Sequence, residues 1–315
     1  MHPAFSIVFF TTASGAGFAL LLLLGLGAPL ALLPSSSSFG FTALAIALLL
    51  AAGGLVSSVF HLGRPERAWR AFSQWRSSWL SREGVFSVLT FLPTAVFGIG
   101  WVFFGATMGL VGLCGVFAAA LAAATIYCTG MIYASLKPIH QWHNSWVVPN
   151  YYALGLMSGF LILNFLVRFW APHPIGVAVC SLSVVLVAWW TKERYWRFID
   201  TTSARSTVAS ATLLGSRGRV HLLEAPHTEE NYLLKEMGFQ IGRRHRLRLR
   251  RIARIASFVL PVLLTLLALW FGGAFGGIAA GLAVVSAALG LVVERWLFFA
   301  EAKHTVTLYY GVEAV

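Results

Sequence analysis

The sequence predicts an all-α integral membrane protein whose eight transmembrane helices form two four-helix bundles. Of the 315 residues, 58% are hydrophobic and only 11% are charged, whereas a soluble domain carries about 25% charged residues. The mean hydropathy is +0.77. Apolar runs of about 20 residues, long enough to cross the roughly 30 Å hydrocarbon core as a helix, recur along the chain. This composition excludes a disordered chain, a secreted disulfide scaffold and an ordinary soluble enzyme.

Eight runs free of Asp, Glu, Lys and Arg define the predicted membrane spans. They are Phe5–Ala28, Phe39–Phe60, Gly84–Gly105, Met108–Leu136, Pro149–Val167, Ile175–Trp190, Ile255–Gly273 and Ala274–Val293. Residues 1–190 are therefore expected to hold six helices and a polar loop at 61–83. Residues 191–254 are expected to form a basic loop facing a partner or lipid, and residues 255–315 to hold the last two helices and the C-terminus.

The distribution of Lys and Arg predicts how the chain is oriented in the membrane. With eight spans, both termini and the loops after spans two, four and six share one side, which receives 22 of the 23 Lys and Arg residues. The other side receives Arg168. Because basic residues accumulate on the cytoplasmic side, we expect a multi-pass protein of the bacterial inner membrane with both termini in the cytoplasm. The net charge of +12 is then an orientation signal, and no nucleic acid partner is expected.

The predicted spans lack charged residues, which argues against an ion-coupled transporter or pump. Cys114, Cys128 and Cys180 form no CxxC pair, so we expect neither an iron–sulfur cluster nor a cysteine zinc site in this chain. No other metal site is expected. A haem at the cytoplasmic edge is the alternative, because four histidines fall at that edge: His61, His140, His143 and His304.

The densest polar stretch joins the second and third spans. His61 ends one span and Glu83 begins the next, with arginines and tryptophans between them. Two titratable groups at one membrane depth suit a quinone, because quinone and quinol interconvert with the exchange of two protons. We therefore predict His61 and Glu83 as the catalytic pair. The predicted quinone-binding residues are His61, Arg64, Arg67, Trp69, Arg82, Glu83 and His140. The alternative interpretation is a set of positive-inside arginines with a belt of interfacial tryptophans.

Other polar stretches on the same side are predicted to contact partner proteins or membrane lipid. The predicted partner-binding residues are Trp75, Arg76, His143, Asn231 and Tyr232. The Arg-rich run at 243–254 is typical of an anionic-lipid contact that leads into a span. Glu294 and Arg295 follow the last predicted span, and we interpret their charges as simple helix-end pairing.

Six stretches resemble the membrane-anchor subunit family of DMSO reductase, over nearly the whole chain. They are MHPAFSIVFFTTASGAGF, HLGRPERAWRAF, SWLSREG, LKPIHQWHNSWVVPNYY, PHTEENYLLKEMGF and ERWLFFAEAKH. The resemblance implies a three-subunit enzyme with a molybdopterin catalytic subunit and an iron–sulfur subunit. It implies that this chain anchors both and exchanges electrons with menaquinone or ubiquinone. His61 in HLG and Glu83 in SWLSREG match the His and Glu that the family uses for menaquinol.

The resemblance extends to two branches of the family that differ in topology. DMSO-reducing members place both anchor termini in the periplasm, whereas a related branch anchors cytoplasm-facing sulfite dehydrogenases that reduce quinone. The charge count and the stretch PHTEENYLLKEMGF favour the second branch. A menaquinol-oxidising anchor of a DMSO or related oxide reductase is the alternative. A small-anion transporter and a passive structural anchor are the other hypotheses.

Overall fold

The computed structural model describes residues 5–60, 62, 64–171, 173–202, 207–220, 223–224 and 244–310. Within these residues the regular secondary structure is helical. Eight helices are long and apolar enough to cross a membrane. The predicted all-α class and the number of spans are therefore confirmed.

The membrane helices alternate with short loops, except for one long connection after the sixth. In chain order the helices are α1 (Phe5–Gly27), α2 (Ser37–Val59), α3 (Trp79–Phe104), α4 (Gly109–Ala134), α5 (Val147–Val167), α6 (Ile175–Thr201), the short α7 (Val208–Thr212), α8 (Arg246–Trp270) and α9 (Gly273–Ala300). Turns of 3-10 helix form at Pro65–Phe72, Gly215–Arg217 and Thr305–Tyr310.

Four of these helices extend at least five residues beyond the predicted spans. Helix α3 begins before Gly84 at Trp79, α6 continues past Trp190 to Thr201, α8 begins before Ile255 at Arg246, and α9 continues past Val293 to Ala300. All four extensions carry charged residues, at which a scan for apolar runs stops. In the folded chain Lys192, Arg250 and Arg254 pair with acids on neighbouring elements, so the helices continue. The freedom from charge therefore holds for the predicted spans but not for the whole helices.

Helix α1 occupies the centre of the packing and contacts α2, α4, α5 and α9. Small residues allow the backbones of these helices to lie close together, since helices in membranes pack through Gly, Ala and Ser. A Cβ atom added at Gly17 would lie 2.7 Å from the Ala47 carbonyl oxygen of α2. Both α1 and α4 contact helices of the first and second halves of the chain. The division into two four-helix bundles therefore stays a prediction.

Helix α8 changes its hydrogen-bond pattern near the end that is predicted to face the cytoplasm. Residues Ile255–Val259 form a π-helical turn, in which the Leu260 N–H donates to the Ile255 carbonyl. The next residue, Pro261, has no N–H to donate to the helix. Gly290 of α9 lies directly against Ser257, where any side chain would collide with backbone. The widened turn thus accommodates both a proline and a close contact with α9.

One edge of the structure gathers the starts of α1, α3, α5 and α8 and the ends of α2, α4, α6 and α9. Contacts across this edge include the Ser57 hydroxyl of α2, which donates to the Ser6 carbonyl of α1 at 3.1 Å. We call it the basic edge, because its helix ends and connecting segments carry 19 of the 20 Lys and Arg residues that the structure describes. At the opposite edge, Arg168 is buried and donates to the Ala268 carbonyl at 2.7 Å.

Candidate functional site

Glu83 is a buried acid near the start of α3, four residues after Trp79, with 4% of its surface exposed. Ser78 caps the start of this helix, because its hydroxyl accepts from the Ser81 N–H. The Thr129 hydroxyl of α4 donates to the Glu83 carboxylate. A buried ionised carboxylate is costly unless it is paired and hydrogen-bonded. Within the described residues Glu83 has this hydroxyl donor but no Lys or Arg within ion-pair distance.

Arg82, the neighbour of Glu83, holds the preceding loop against the start of α3. Its Nε donates to the Trp75 carbonyl at 3.0 Å and its Nη2 to the Arg76 carbonyl at 2.6 Å. Its guanidinium also lies 4.3 Å from the centre of the Trp79 ring. Arg82 was predicted to bind quinone, but much of its donor capacity is used to position the loop.

The rest of this loop presents arginine and tryptophan side chains to the surroundings. Arg64 and Arg67 are exposed, and Arg67 lies 3.9 Å from the Glu66 carboxylate. Trp69 and Trp75 are 66% and 52% exposed. Such side chains suit a membrane surface or a partner protein. The Arg76 guanidinium lies 5.6 Å from the Trp75 ring centre. The predicted catalytic His61 lies outside the described residues.

The two histidines of the loop after α4 contact different parts of the basic edge. The His140 Nε2 is 2.9 Å from the Thr202 hydroxyl, and its ring stacks on Phe198 of α6. The His143 Nδ1 is 2.6 Å from the Ala134 carbonyl at the end of α4. His140 thus packs at α6, whereas Glu83 contacts α4. The predicted partner residues Asn231 and Tyr232 lie outside the described residues.

A pair of stacked tyrosines links the surroundings of Glu83 to α9, a feature the sequence analysis missed. The rings of Tyr133 and Tyr151 stack with centroids 5.7 Å apart. The Arg295 guanidinium lies 4.3 Å from the centre of the Tyr151 ring. Tyr133 lies one helical turn after Thr129 on α4, the residue whose hydroxyl donates to Glu83. A polar path therefore crosses the interior from α3 through α4 and α5 to α9.

The path continues into a buried ion pair that was also missed. Lys192 of α6 pairs with Glu294 of α9, and these residues are 2% and 0% exposed. The second carboxylate oxygen of Glu294 lies 3.3 Å from the Arg295 Nε. The expected pairing of Glu294 with Arg295 is thus present, but both residues are buried and Glu294 also pairs with Lys192. Both lie in the core because the Glu294 carboxylate is shared by two cations, Lys192 of α6 and the neighbouring Arg295.

A second set of ion pairs fixes α8 to the ends of α6 and α9. Arg250 donates through Nη1 to Asp200 at 2.6 Å and through Nε to Glu301 at 2.7 Å. Burial raises the pKa of the Glu301 carboxyl above its usual range, although the Arg250 hydrogen bond opposes the shift. Arg254 makes a bidentate pair with Glu193. Part of the Arg-rich run is thus engaged in ion pairs within the chain.

The buried charged residues that the sequence analysis missed, Arg295 and Lys192, each lie on a buried face of their helix, α9 and α6. Leu291, Arg295 and Phe298 recur at the four- and three-residue intervals of a helix face, and all three are buried. Lys192 is followed at the same interval by the buried Tyr195. A charged residue at the spacing of an apolar helix face indicates that the charge is buried and needs an oppositely charged partner. Within the described residues, no three His, Cys, Asp or Glu side chains gather as metal ligands.

Comparison with known proteins places this geometry in a family context. The family model for the DMSO reductase anchor subunit (DmsC) matches residues 1–311. The chain is also similar to the C subunit of the sulfite dehydrogenase of Allochromatium vinosum, with 35% identity across 98% of this chain and 99% of that protein. Both similarities extend over all eight helices and the basic edge.

Proposed function

The chain belongs to the DMSO reductase anchor subunit family, and on this premise we propose that it is the quinone-reactive anchor of a three-subunit molybdopterin oxidoreductase. As an anchor subunit it joins a multi-subunit enzyme to the membrane. The proposed partners are an iron–sulfur subunit and a molybdopterin catalytic subunit. Electrons pass between the iron–sulfur subunit and the quinone pool through a site at the basic edge.

One observation carries the proposal: Glu83 is buried at the basic edge with a hydroxyl donor, Thr129. Quinone reduction adds two electrons and two protons, so quinone becomes quinol. The electrons come from the partner's iron–sulfur clusters, and the protons must come from groups within the membrane edge. Glu83 supplies one such group. The sequence-predicted His61 is proposed as the second.

Sulfite is the proposed substrate of the whole enzyme. Its oxidation with water gives sulfate, two protons and two electrons, which matches the two electrons that a quinone accepts. The similarity to a sulfite dehydrogenase supports this substrate. Membership of the DMSO reductase anchor family favours the alternative, in which quinol gives its electrons to DMSO or a related oxide. The anchor performs the same quinone chemistry in either direction.

The basic edge is proposed to face the cytoplasm. Basic residues accumulate on that side of bacterial inner membranes, and the partner subunits would dock there against the exposed arginines and tryptophans of the loop at 64–77. The quinone would then react on the same side as the iron–sulfur clusters. This arrangement keeps the electron path short.

The test compares two activities of the purified three-subunit enzyme. We expect Glu83→Gln to lower quinone-linked sulfite oxidation at least about 100-fold, because general acid–base groups contribute about 10²–10⁴-fold to rate. Sulfite oxidation with a soluble dye acceptor should stay within twofold of wild type. The dye takes electrons from the partner subunits and bypasses the membrane site.

The matched control is Glu66→Gln, which neutralises an acid that is exposed on the adjacent loop. It should leave both activities unchanged. A second pair, Thr129→Val and Thr125→Val, removes one buried hydroxyl each, but only that of Thr129 contacts Glu83. Normal quinone-linked activity in Glu83→Gln would refute the assignment of Glu83.

A further inference from the structure

An apolar cleft opens sideways between α1, α2, α5 and α9. Its volume is about 390 Å³, within the range of about 300–1,000 Å³ that is usual for ligand pockets. Small side chains leave the space unfilled, and large aliphatic ones line its sides: Ala16, Ile46, Leu50, Ile162, Ala287 and Ala288. Phe9 and Val292 at the cleft are 51% and 40% exposed, so it is open to the surrounding lipid phase.

The cleft ends in polar groups on the side of the basic edge. Thr12, Ser158 and Leu291 line both the cleft and a smaller pocket that continues toward Tyr151 and Arg295. The smaller pocket has a volume of about 20 Å³, which is room for about one water molecule. A ring-sized group must therefore lie in the cleft itself, with its polar atoms directed at the smaller pocket.

Tyr151 has unused hydrogen-bonding capacity at this point. It is 6% exposed, and its hydroxyl makes no well-formed hydrogen bond within the described residues. The Arg295 guanidinium lies over the ring, and both Arg295 and Tyr133 lie near the hydroxyl, but neither makes a hydrogen bond of good geometry to it. A buried hydroxyl without a hydrogen-bond partner destabilises the structure. A ligand that accepts a hydrogen bond here, directly or through one water molecule, would recover this cost.

The depth of the polar end favours a neutral ligand group. Tyr151 lies four residues from the start of α5 and Arg295 five residues from the end of α9, or about 6–8 Å inside the helix ends at 1.5 Å per residue. A lipid phosphate at this depth would be desolvated at high cost. Arg295 is already 3.3 Å from the Glu294 carboxylate and needs no further anion. A ketone oxygen brings no charge.

We propose that this cleft binds the prenyl chain of a quinone and holds the quinone ring at its polar end, facing Tyr151 and Arg295. The inference rests on the proposed quinone function and names the residues that admit and orient the ligand. Prenylated quinones suit the site because they combine a long apolar chain with a neutral ring that accepts hydrogen bonds. The stacked Tyr133 and Tyr151 connect the ring position to the surroundings of Glu83.

The first test fills the cleft without disturbing the core. Ala288 lines the cleft and is exposed, and the next residue, Leu289, is 64% exposed and lies outside the cleft lining. In the three-subunit enzyme, we expect Ala288→Trp to raise the KM for a quinone with a full prenyl chain about tenfold, equivalent to about 1.4 kcal/mol. The same headgroup with a methyl group in place of the chain should show an unchanged KM. Leu289→Trp should change neither value.

The second test removes the hydroxyl at the polar end. We expect Tyr151→Phe to raise the KM for both quinones about fivefold, because one neutral hydrogen bond is lost. The matched control is Tyr152→Phe, whose hydroxyl donates to the Ala123 carbonyl at 2.7 Å. It should leave both KM values unchanged.

Photolabelling tests occupancy without relying on turnover. A quinone with a photoreactive group on its prenyl chain should label peptides of α1, α5 and α9 in the whole enzyme, and Ala288→Trp should abolish that label. Competition by phospholipid but not by prenyl quinone would overturn the inference. The inference would also fail if Ala288→Trp left the KM for the prenyl quinone unchanged while Glu83→Gln abolished turnover. That result would leave the proposed function intact. If Glu83→Gln has no effect but the cleft label persists, the proposed role of Glu83 fails and the cleft assignment stands.

Discussion

The buried ammonium group of Lys192 contacts one carboxylate and several aromatic rings, which replace the water that would surround it at the surface. Its ammonium pairs with Glu294 and lies 4.1 Å from the centre of the Tyr195 ring and 5.1 Å from that of Trp196. Because a desolvated charge is tolerated only with its partner, the pair stabilises the structure as a unit. It joins α6 to α9 at the basic edge.

Removing one member of this pair should destabilise the protein strongly. We expect Lys192→Met to lower the free energy of unfolding by about 3 kcal/mol, since it leaves Glu294 buried with one fewer countercharge. Arg197→Met, an exposed position on the same helix, should cost much less. Denaturant unfolding in detergent micelles measures both. Equal costs for the two variants would contradict the account of the pair.

The two buried acids differ in how well the sequence predicts them. Glu83 belongs to a short polar motif that singled it out as a predicted site residue, and its role stays a prediction. Glu294 has an arginine beside it, so its charge has a ready explanation within its own helix. Its other partner, Lys192, is about a hundred residues away in sequence. Pairing across helices depends on packing, which a single sequence does not reveal.

Among the helices, the contact between α1 and α2 depends most visibly on a missing side chain. We expect Gly17→Ala to destabilise the protein by about 1–3 kcal/mol, because the added carbon would press on the α2 backbone. Gly53→Ala has open space around it, and should be neutral or stabilising by up to about 1 kcal/mol. Thermal unfolding in detergent distinguishes the two, and an equally tolerated Gly17→Ala would argue against this packing.

The helix ends were harder to predict than the helices themselves. A run of apolar residues identifies each span because the bilayer demands a minimum length. The end of the helix depends instead on whether the next charges find partners. Arg250 extends α8 by pairing with Asp200 and Glu301. These partners come from α6 and from the residue that follows α9, so the extension follows from the fold.

At the scale of the whole molecule, the charge distribution predicts orientation. A fluorescent protein fused after the C-terminus should fold and fluoresce in the cytoplasm, whereas alkaline phosphatase fused there should be inactive. Phosphatase fused after Gly105, in the loop between α3 and α4, should be active. An active phosphatase at the C-terminus would place the basic edge on the other side of the membrane.

The eight-helix architecture was predictable because membrane spans are a compositional signal. The arrangement of the helices was not, since α1 packs against helices from both halves of the chain. The lateral cleft was not predicted either, because the sequence does not show that alanines on separate helices line the same cavity. The proposed path from lipid to Glu83 thus depends on packing as much as on motif.

The central claim is that quinone reacts at the basic edge and that Glu83 supplies a proton to this reaction. The most direct test is stopped-flow mixing of the whole enzyme, with its partner iron–sulfur clusters reduced, with a prenyl quinone. We predict that wild type and Glu66→Gln reoxidise the clusters rapidly and that Glu83→Gln slows this step at least about 100-fold, while a soluble dye reoxidises all three equally. Equally rapid reoxidation by quinone in Glu83→Gln would contradict the account.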